Sequence, residues 1–98
     1  YDSGNSASLG YNSGEELTEL KKWIKNVHVK DRKFQGGTVP FGMGDTDFDL
    51  FFSSLSKINY SGDLIIQGAR FENKEITPEA TCKTYQEFIN QNVDKYYI

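Results

Sequence analysis

Asn26-Val27-His28-Val29-Lys30-Asp31 is the stretch on which the fold turns. Valines alternate with polar side chains, the pattern of a short β-strand with one buried face. A period of two places His28 and Lys30, and one step further Arg32, on the same face. On both sides of this strand the chain repeats one phrase: strand, polar loop, amphipathic helix.

Upstream, only Tyr1-Asp2 remains of a first strand, followed by a Ser-, Gly- and Asn-rich loop over residues 3–14. A helix is predicted over residues 15–25, with Leu17, Leu20 and Ile24 as its buried stripe and Trp23 beside it. Glu15 and Glu16 stand in its first turn and Lys25 in its last, as the helix dipole prefers.

Downstream, residues 32–45 hold four of the nine glycines (Gly36, Gly37, Gly42, Gly44) plus Pro40, a loop too long for a tight turn and too glycine-rich for a helix. Thr46-Asp47-Phe48-Asp49 has the spacing of a capping box, with Asp49 reaching back to the Thr46 amide. Phe48, Phe51, Phe52, Leu55 and Ile58 form the buried face of the helix that follows, which Ser61-Gly62 ends. Residues 64–69 read as a third strand, nearly all apolar, as a parallel strand covered on both faces is. Thr77-Pro78-Glu79 starts the last helix, an N-cap with proline at N1. Its stripe is Tyr85, Phe88, Ile89, Val93 and Tyr96, and Cys82 on the same side reads as a small core residue.

Strands alternating with helices imply parallel βα units, hence an α/β fold. Three strands leave two open sheet edges and apolar faces short of partners. The unusual residues follow each strand, which is where a (β/α)8 barrel carries its site. The chain opens at Tyr1 without an initiator methionine, its sole Met being Met43. The expectation is a single partial barrel domain over residues 1–98, truncated at the N-terminus, that self-associates through its uncovered faces.

Composition narrows the function. Of 98 residues, 11 are basic and 14 acidic, for a net charge of −3, which disfavours a nucleic-acid binder because phosphate neutralisation supplies most of such a binder's affinity. Aromatics at 14% argue against disorder. The longest apolar run, Leu64-Ile65-Ile66, is far below the ~20 residues that span a bilayer, so no membrane partner is expected. One cysteine allows no internal disulfide, which fits a reducing, cytoplasmic location.

Polar residues gather at the strand ends. Asp2 and Asn5 follow the first strand; His28, Lys30 and Arg32 line the second; Gln67 lies on the third, with Arg70 just beyond. Neighbouring strands are ~4.8 Å apart, so Asp2, His28 and Gln67 converge if their registers match. A carboxylate and an imidazole suit a divalent metal of intermediate hardness (Mn²⁺, Mg²⁺ or Zn²⁺). Each residue also has a plainer reading: a strand-end aspartate caps a turn, a lone histidine is structural or solvated, and a glutamine on an apolar strand is a satisfied buried amide. Lys30, Arg32 and Lys33 beside the glycines read either as an anion site or as a solvated charge run. The loop lacks the GxxxxGK[ST] arrangement of a nucleotide P-loop.

Taken together, three phrases resemble the sugar-phosphate isomerase/epimerase family. They are Tyr1-Asp2-Ser3-Gly4-Asn5-Ser6-Ala7-Ser8-Leu9-Gly10-Tyr11, His28-Val29-Lys30-Asp31-Arg32, and Gly37-Thr38-Val39-Pro40-Phe41-Gly42-Met43-Gly44-Asp45-Thr46-Asp47-Phe48. Leu64-Ile65-Ile66-Gln67-Gly68-Ala69-Arg70 looks like that family's last strand. The resemblance implies a xylose isomerase-like TIM barrel, of which this chain is the C-terminal part, about strands six to eight with their helices.

It further implies one divalent metal held by Asp2 and His28, with Gln67 where the family carries a glutamate. A sugar or sugar phosphate would be contacted by Asn5, Lys30, Arg32 and Arg70. Since an amide accepts no proton, Gln67 removes one of the family's two bases, and no catalytic residue is assigned. The expected parent activity is isomerisation or epimerisation through metal-assisted enolisation, with the 98-residue chain itself inactive. The alternative is a non-enzymatic sugar-binding or scaffold barrel. An abasic-site endonuclease shares this barrel, but it assembles three zinc ions with several histidines where this chain has one.

Overall fold

A computed structural model describes residues 1–69 and 75–97. The elements run α1 (Ser3–Ser8), α2 (Ser13–Leu20), β1 (Val27–Val29), β2 (Asp31–Arg32), β3 (Thr38–Val39), α3 (Phe48–Lys57), β4 (Leu64–Ile66) and α4 (Pro78–Tyr96). β1 and β4 pair in parallel, with Val27 opposite Leu64, His28 opposite Ile65 and Val29 opposite Ile66. Asp2 forms a parallel bridge to His28, whose amide donates to the Tyr1 carbonyl at 2.7 Å. Successive amides of a strand point to opposite edges, so Asp2 and β4 flank β1 on its two sides. The fold is α/β, with parallel neighbours linked through helices.

Val27 and Val29 are completely buried and face α3, whose Phe48, Phe51, Phe52 and Leu55 form the core with Leu17 and Ile89. Tyr1 stacks on Phe51 at 6.1 Å between ring centroids and donates its hydroxyl to Glu16 at 3.1 Å. α4 adds Tyr85 and Ile89 as buried residues, with Phe88, Val93 and Tyr96 packed at the margin.

Several expectations need correction. The loop predicted over residues 3–14 instead contains α1, because the Asp2 carboxylate accepts from the Asn5 amide at 2.8 Å and caps a first turn whose small side chains tuck in. α2 begins at Ser13 under an Asn12 cap and stops at Leu20, five residues short of the predicted end. Its stripe is half right: Leu17 is buried and Ile24 packs on the core, while Leu20 and Trp23 are exposed. The second strand breaks after Val29, and the glycine-rich connection folds into an antiparallel pair of β2 and β3.

α3 is capped by Asp47, not Thr46; Asp47 accepts from the Leu50 amide, and Asp49 turns instead to Tyr96 and Lys95. That helix ends at Lys57, before the predicted Ser61-Gly62 stop. β4 is shorter than predicted and not covered on both faces: Ile65 and Ile66 stay 38% and 37% exposed. Cys82 is exposed on α4, not in the core. The Thr77 cap with Pro78 at the helix start stands as predicted. Among the described residues, no helix is long and apolar enough to cross a membrane.

Candidate functional site

The strand register decides which side chains share a face. Asp2 pairs with His28, and β4 runs in step with β1, so Lys30 and Gln67 follow on the same face as His28 while Val27 and Val29 turn inward. The Gln67 amide donates to the Val29 carbonyl at 2.9 Å, extending the ladder past β4. Together with Tyr1 and Asn5, these residues line one open hollow of about 420 Å³: Asp2, His28, Lys30 and Gln67 form its polar wall.

α1 fixes the approach of Lys30 to that wall. The Ser3 hydroxyl, buried at the start of α1, donates to the Lys30 carbonyl at 2.7 Å and accepts from the Lys30 amide at 3.0 Å. A side chain at position 4 would sit 2.7 Å from Lys30 Cγ and 3.0 Å from its backbone carbon, so glycine is what lets the lysine stem lie against the helix. The ammonium then reaches Asp2, with Nζ–Oδ2 at 3.5 Å and the two side chains only 20% and 17% exposed. Asp2 Oδ1 is meanwhile occupied as the α1 cap.

The remaining predicted residues sit differently. Asn5 is exposed at the rim, and its Oδ1 accepts from Arg32 Nη1 at 2.8 Å. The Arg32 guanidinium also donates twice to the Gly36 carbonyl, at 3.0 and 2.7 Å, which ties it to the β2–β3 hairpin and away from the hollow. Arg70 lies outside the described residues. Tyr1 is half-buried at the hollow's edge, and burial first, then the Glu16 carboxylate, pushes its hydroxyl well above the ordinary tyrosine range, so it stays a neutral donor.

Sequence reasoning passed over Asp31. It is fully buried, with Oδ2 accepting from the Gly42 and Gly44 amides at 2.9 Å each and Oδ1 from the Thr46 amide at 3.1 Å. A Cβ at Gly44 would lie 2.2 Å from that carboxylate, so the loop closes on it only as glycine. The loop thereby carries Phe41 to the core, 4.3 Å from Tyr85 and 5.3 Å from Phe88 between ring centroids. The signal was present in the alternation: position 31 falls on the same face as Val27 and Val29, and a carboxylate on a buried face is paired with donors.

A divalent cation of intermediate hardness accepts a carboxylate, an imidazole and an amide carbonyl. Asp2, His28 and Gln67 supply one of each on one wall, so the donor types fit. The charge is thin: among the described residues no three His, Cys, Asp or Glu side chains group as a metal site, and the single carboxylate is already paired with Lys30.

No protein-family model matches the chain. Over 81 residues it is 40% identical to the "Putative L-ribulose-5-phosphate 3-epimerase SgbU" of Haemophilus influenzae, an alignment covering 76% of this chain and 28% of that protein. The chain thus spans little more than a quarter of the relative's length.

Proposed function

We propose that this chain carries the strand-six-to-eight side of a sugar-phosphate isomerase or epimerase site, built on a xylose isomerase-like (β/α)8 barrel. The observation that carries the reading is the shared wall of Asp2, His28, Lys30 and Gln67 at the ends of parallel neighbours, in a chain 40% identical to a protein named for 3-epimerisation of a pentulose phosphate. Asp2 and His28 are the metal ligands of this reading, with the Gln67 carbonyl as third. Mn²⁺, Mg²⁺ or Zn²⁺ bound there would polarise a substrate carbonyl for enolisation. Asn5 at the rim and Lys30 on the wall meet the sugar hydroxyls and the phosphate.

Proton transfer is where this wall falls short. Gln67 accepts no proton at the position where the family carries a glutamate. Asp2 is committed to an amide and an ammonium, and the Tyr1 hydroxyl is held neutral. The 98-residue chain is therefore expected to bind ligand without turnover. L-ribulose 5-phosphate incubated with it in D2O should gain no deuterium beside the carbonyl, and exchange at an enzymatic rate would overturn that.

Mn²⁺ titration tests the site. Broadening of the His28 ring and Gln67 amide signals at the first additions, with tight binding abolished in His28→Ala, is the expected result. The neutral Gln67 also favours a second reading, a sugar-binding barrel without chemistry. Sugar-phosphate binding with Mn²⁺ affinity indifferent to His28→Ala would select that one.

A further inference from the structure

A groove apart from the hollow of Asp2 and His28 runs past the first turns of α2 and α3, and we propose that it binds a linear aliphatic polyamine. It consists of two adjoining hollows that share Asn12 and Leu50. The first, about 340 Å³, lies between α1, the β2–β3 hairpin and the start of α3, and its walls carry Tyr11, Phe34, Asp45 and Asp47. The second, about 380 Å³, lies between α2 and α3 and carries Gly14, Glu15, Glu19, Ser54 and Lys57. Four carboxylates thus face one ammonium, and among the described residues none of the five forms an ion pair. Both helix starts are already capped by the Asn12 and Asp47 side chains, so the partial positive charge there is met before any anion arrives. The groove selects for a cation.

Its acceptors are held in place and left open. The Phe34 amide donates to Asp45 Oδ2 at 2.6 Å, which fixes that carboxylate beside an aromatic residue that is itself 54% exposed. Asp47 gives Oδ1 to the Leu50 amide at 3.0 Å, so each aspartate keeps its other oxygen for a ligand. In the second hollow Ser54 is only 6% exposed, and among the described residues its hydroxyl has no hydrogen-bond partner. It faces the space over Gly14, where a Cβ would sit 3.3 Å from Ser54 Oγ and 3.0 Å from Leu50 Cδ1. A buried hydroxyl in that position calls for a group to bond. Leu50 lies where the two acidic hollows meet. Acidic, apolar, acidic is the complement of ammonium, methylenes, ammonium, with the Tyr11 and Phe34 rings adding cation–π attraction at one end and Ser54 accepting an N–H at the other. The carboxylates are exposed, so each alone contributes little, and only a ligand that engages both pairs gains from their sum. A compact dication meets one pair.

The test is spermidine binding to the full 98-residue chain, read by calorimetry at low ionic strength. Butylamine, with one ammonium, and Mg²⁺, with charge but no chain, are the comparison ligands. Spermidine should bind about tenfold tighter than either, because it alone reaches both pairs. It should also shift the Phe34, Gly14 and Ser54 amide resonances and weaken as salt is added. Glu19→Gln disturbs no hydrogen bond among the described residues, and Asp47→Asn keeps a cap on α3. Each should weaken spermidine about threefold, and the two together about tenfold. Gly14→Ala, which puts a methyl over Ser54, should weaken it as well. Asp49→Asn removes the same charge from α3 outside the groove and should leave binding unchanged. Folding of each variant is checked on the Gly42 and Gly44 amide resonances. Spermidine no tighter than butylamine or Mg²⁺, equal weakening by Asp49→Asn and Glu19→Gln, or no binding at all overturns the proposal and leaves the groove an acidic surface.

Discussion

Val29 and Ile66 are register partners in a parallel pair, both β-branched and both turned to the inner face, yet Val29 is completely buried and Ile66 is 37% exposed. The difference is in what lies beyond each strand. β1 has α3 over its inner face, Tyr1-Asp2 on one edge and a carboxylate, Asp31, drawing the following loop down onto it. β4 has β1 on one edge and Tyr85 near its end, where the tyrosine hydroxyl donates to the Ala69 carbonyl. The lesson is that β-branched residues select a strand, while only a second layer turns it into core.

The largest effect that can break this comparison comes from its buried side. Phe51→Ala removes a fully buried ring and should cost about 3–5 kcal/mol in urea unfolding, a large part of what a domain of this size has to lose. Ile66→Lys on the other side should change stability by no more than about 0.5 kcal/mol, since its side chain is already 37% exposed. Comparable losses from both would show β4 to be as much a part of the core as β1.

Asp31→Ala comes next. It leaves three loop amides without their acceptor, and a loss of about 2–3 kcal/mol is expected, together with loss of protection from hydrogen exchange at Gly42, Gly44 and Thr46. Protection retained at all three would show that the Phe41 anchor alone holds the loop.

The smallest effect lies on the outer surface between α3 and α4. The Tyr96 hydroxyl, 2.6 Å away, and then Lys95 hold Asp49 below its ordinary value of 3.8. A carboxylate depressed on folding contributes stability that is present above 3.8 and lost as pH falls through its lower folded value. The group is fully exposed, so the contribution is slight and screened by salt. Asp49→Asn should flatten the acid limb of the urea midpoint at low ionic strength and do nothing at neutral pH. An identical acid limb in the variant removes Asp49 from the account.

How much was legible depended on whether the deciding interaction was local. The Thr77-Pro78 helix start, the Phe48, Phe51, Phe52 and Leu55 face and the β1 alternation came through, since each is a repeat or cap within a few residues. Convergence of Asp2, His28 and Gln67 on one wall followed from period-two alternation once the strands proved parallel and in register. The ends of α2 and β4 did not come through. Nor did α1, which exists because Asp2 caps it and because Ser3 binds the backbone of Lys30, 27 residues away.

By itself, then, the sequence determined the alternation of strand and helix, the face on which the polar residues of each strand lie, and that position 67 offers an amide. Tertiary structure decided that Lys30 meets Asp2, that Arg32 goes to Gly36 and not to the hollow, and that Asp31 is the anchor of the glycine-rich loop. The physical reason is range. Periodicity and capping act over one or two turns of chain, whereas an ion pair or a buried carboxylate is chosen by whichever donor the packing of distant elements brings within reach.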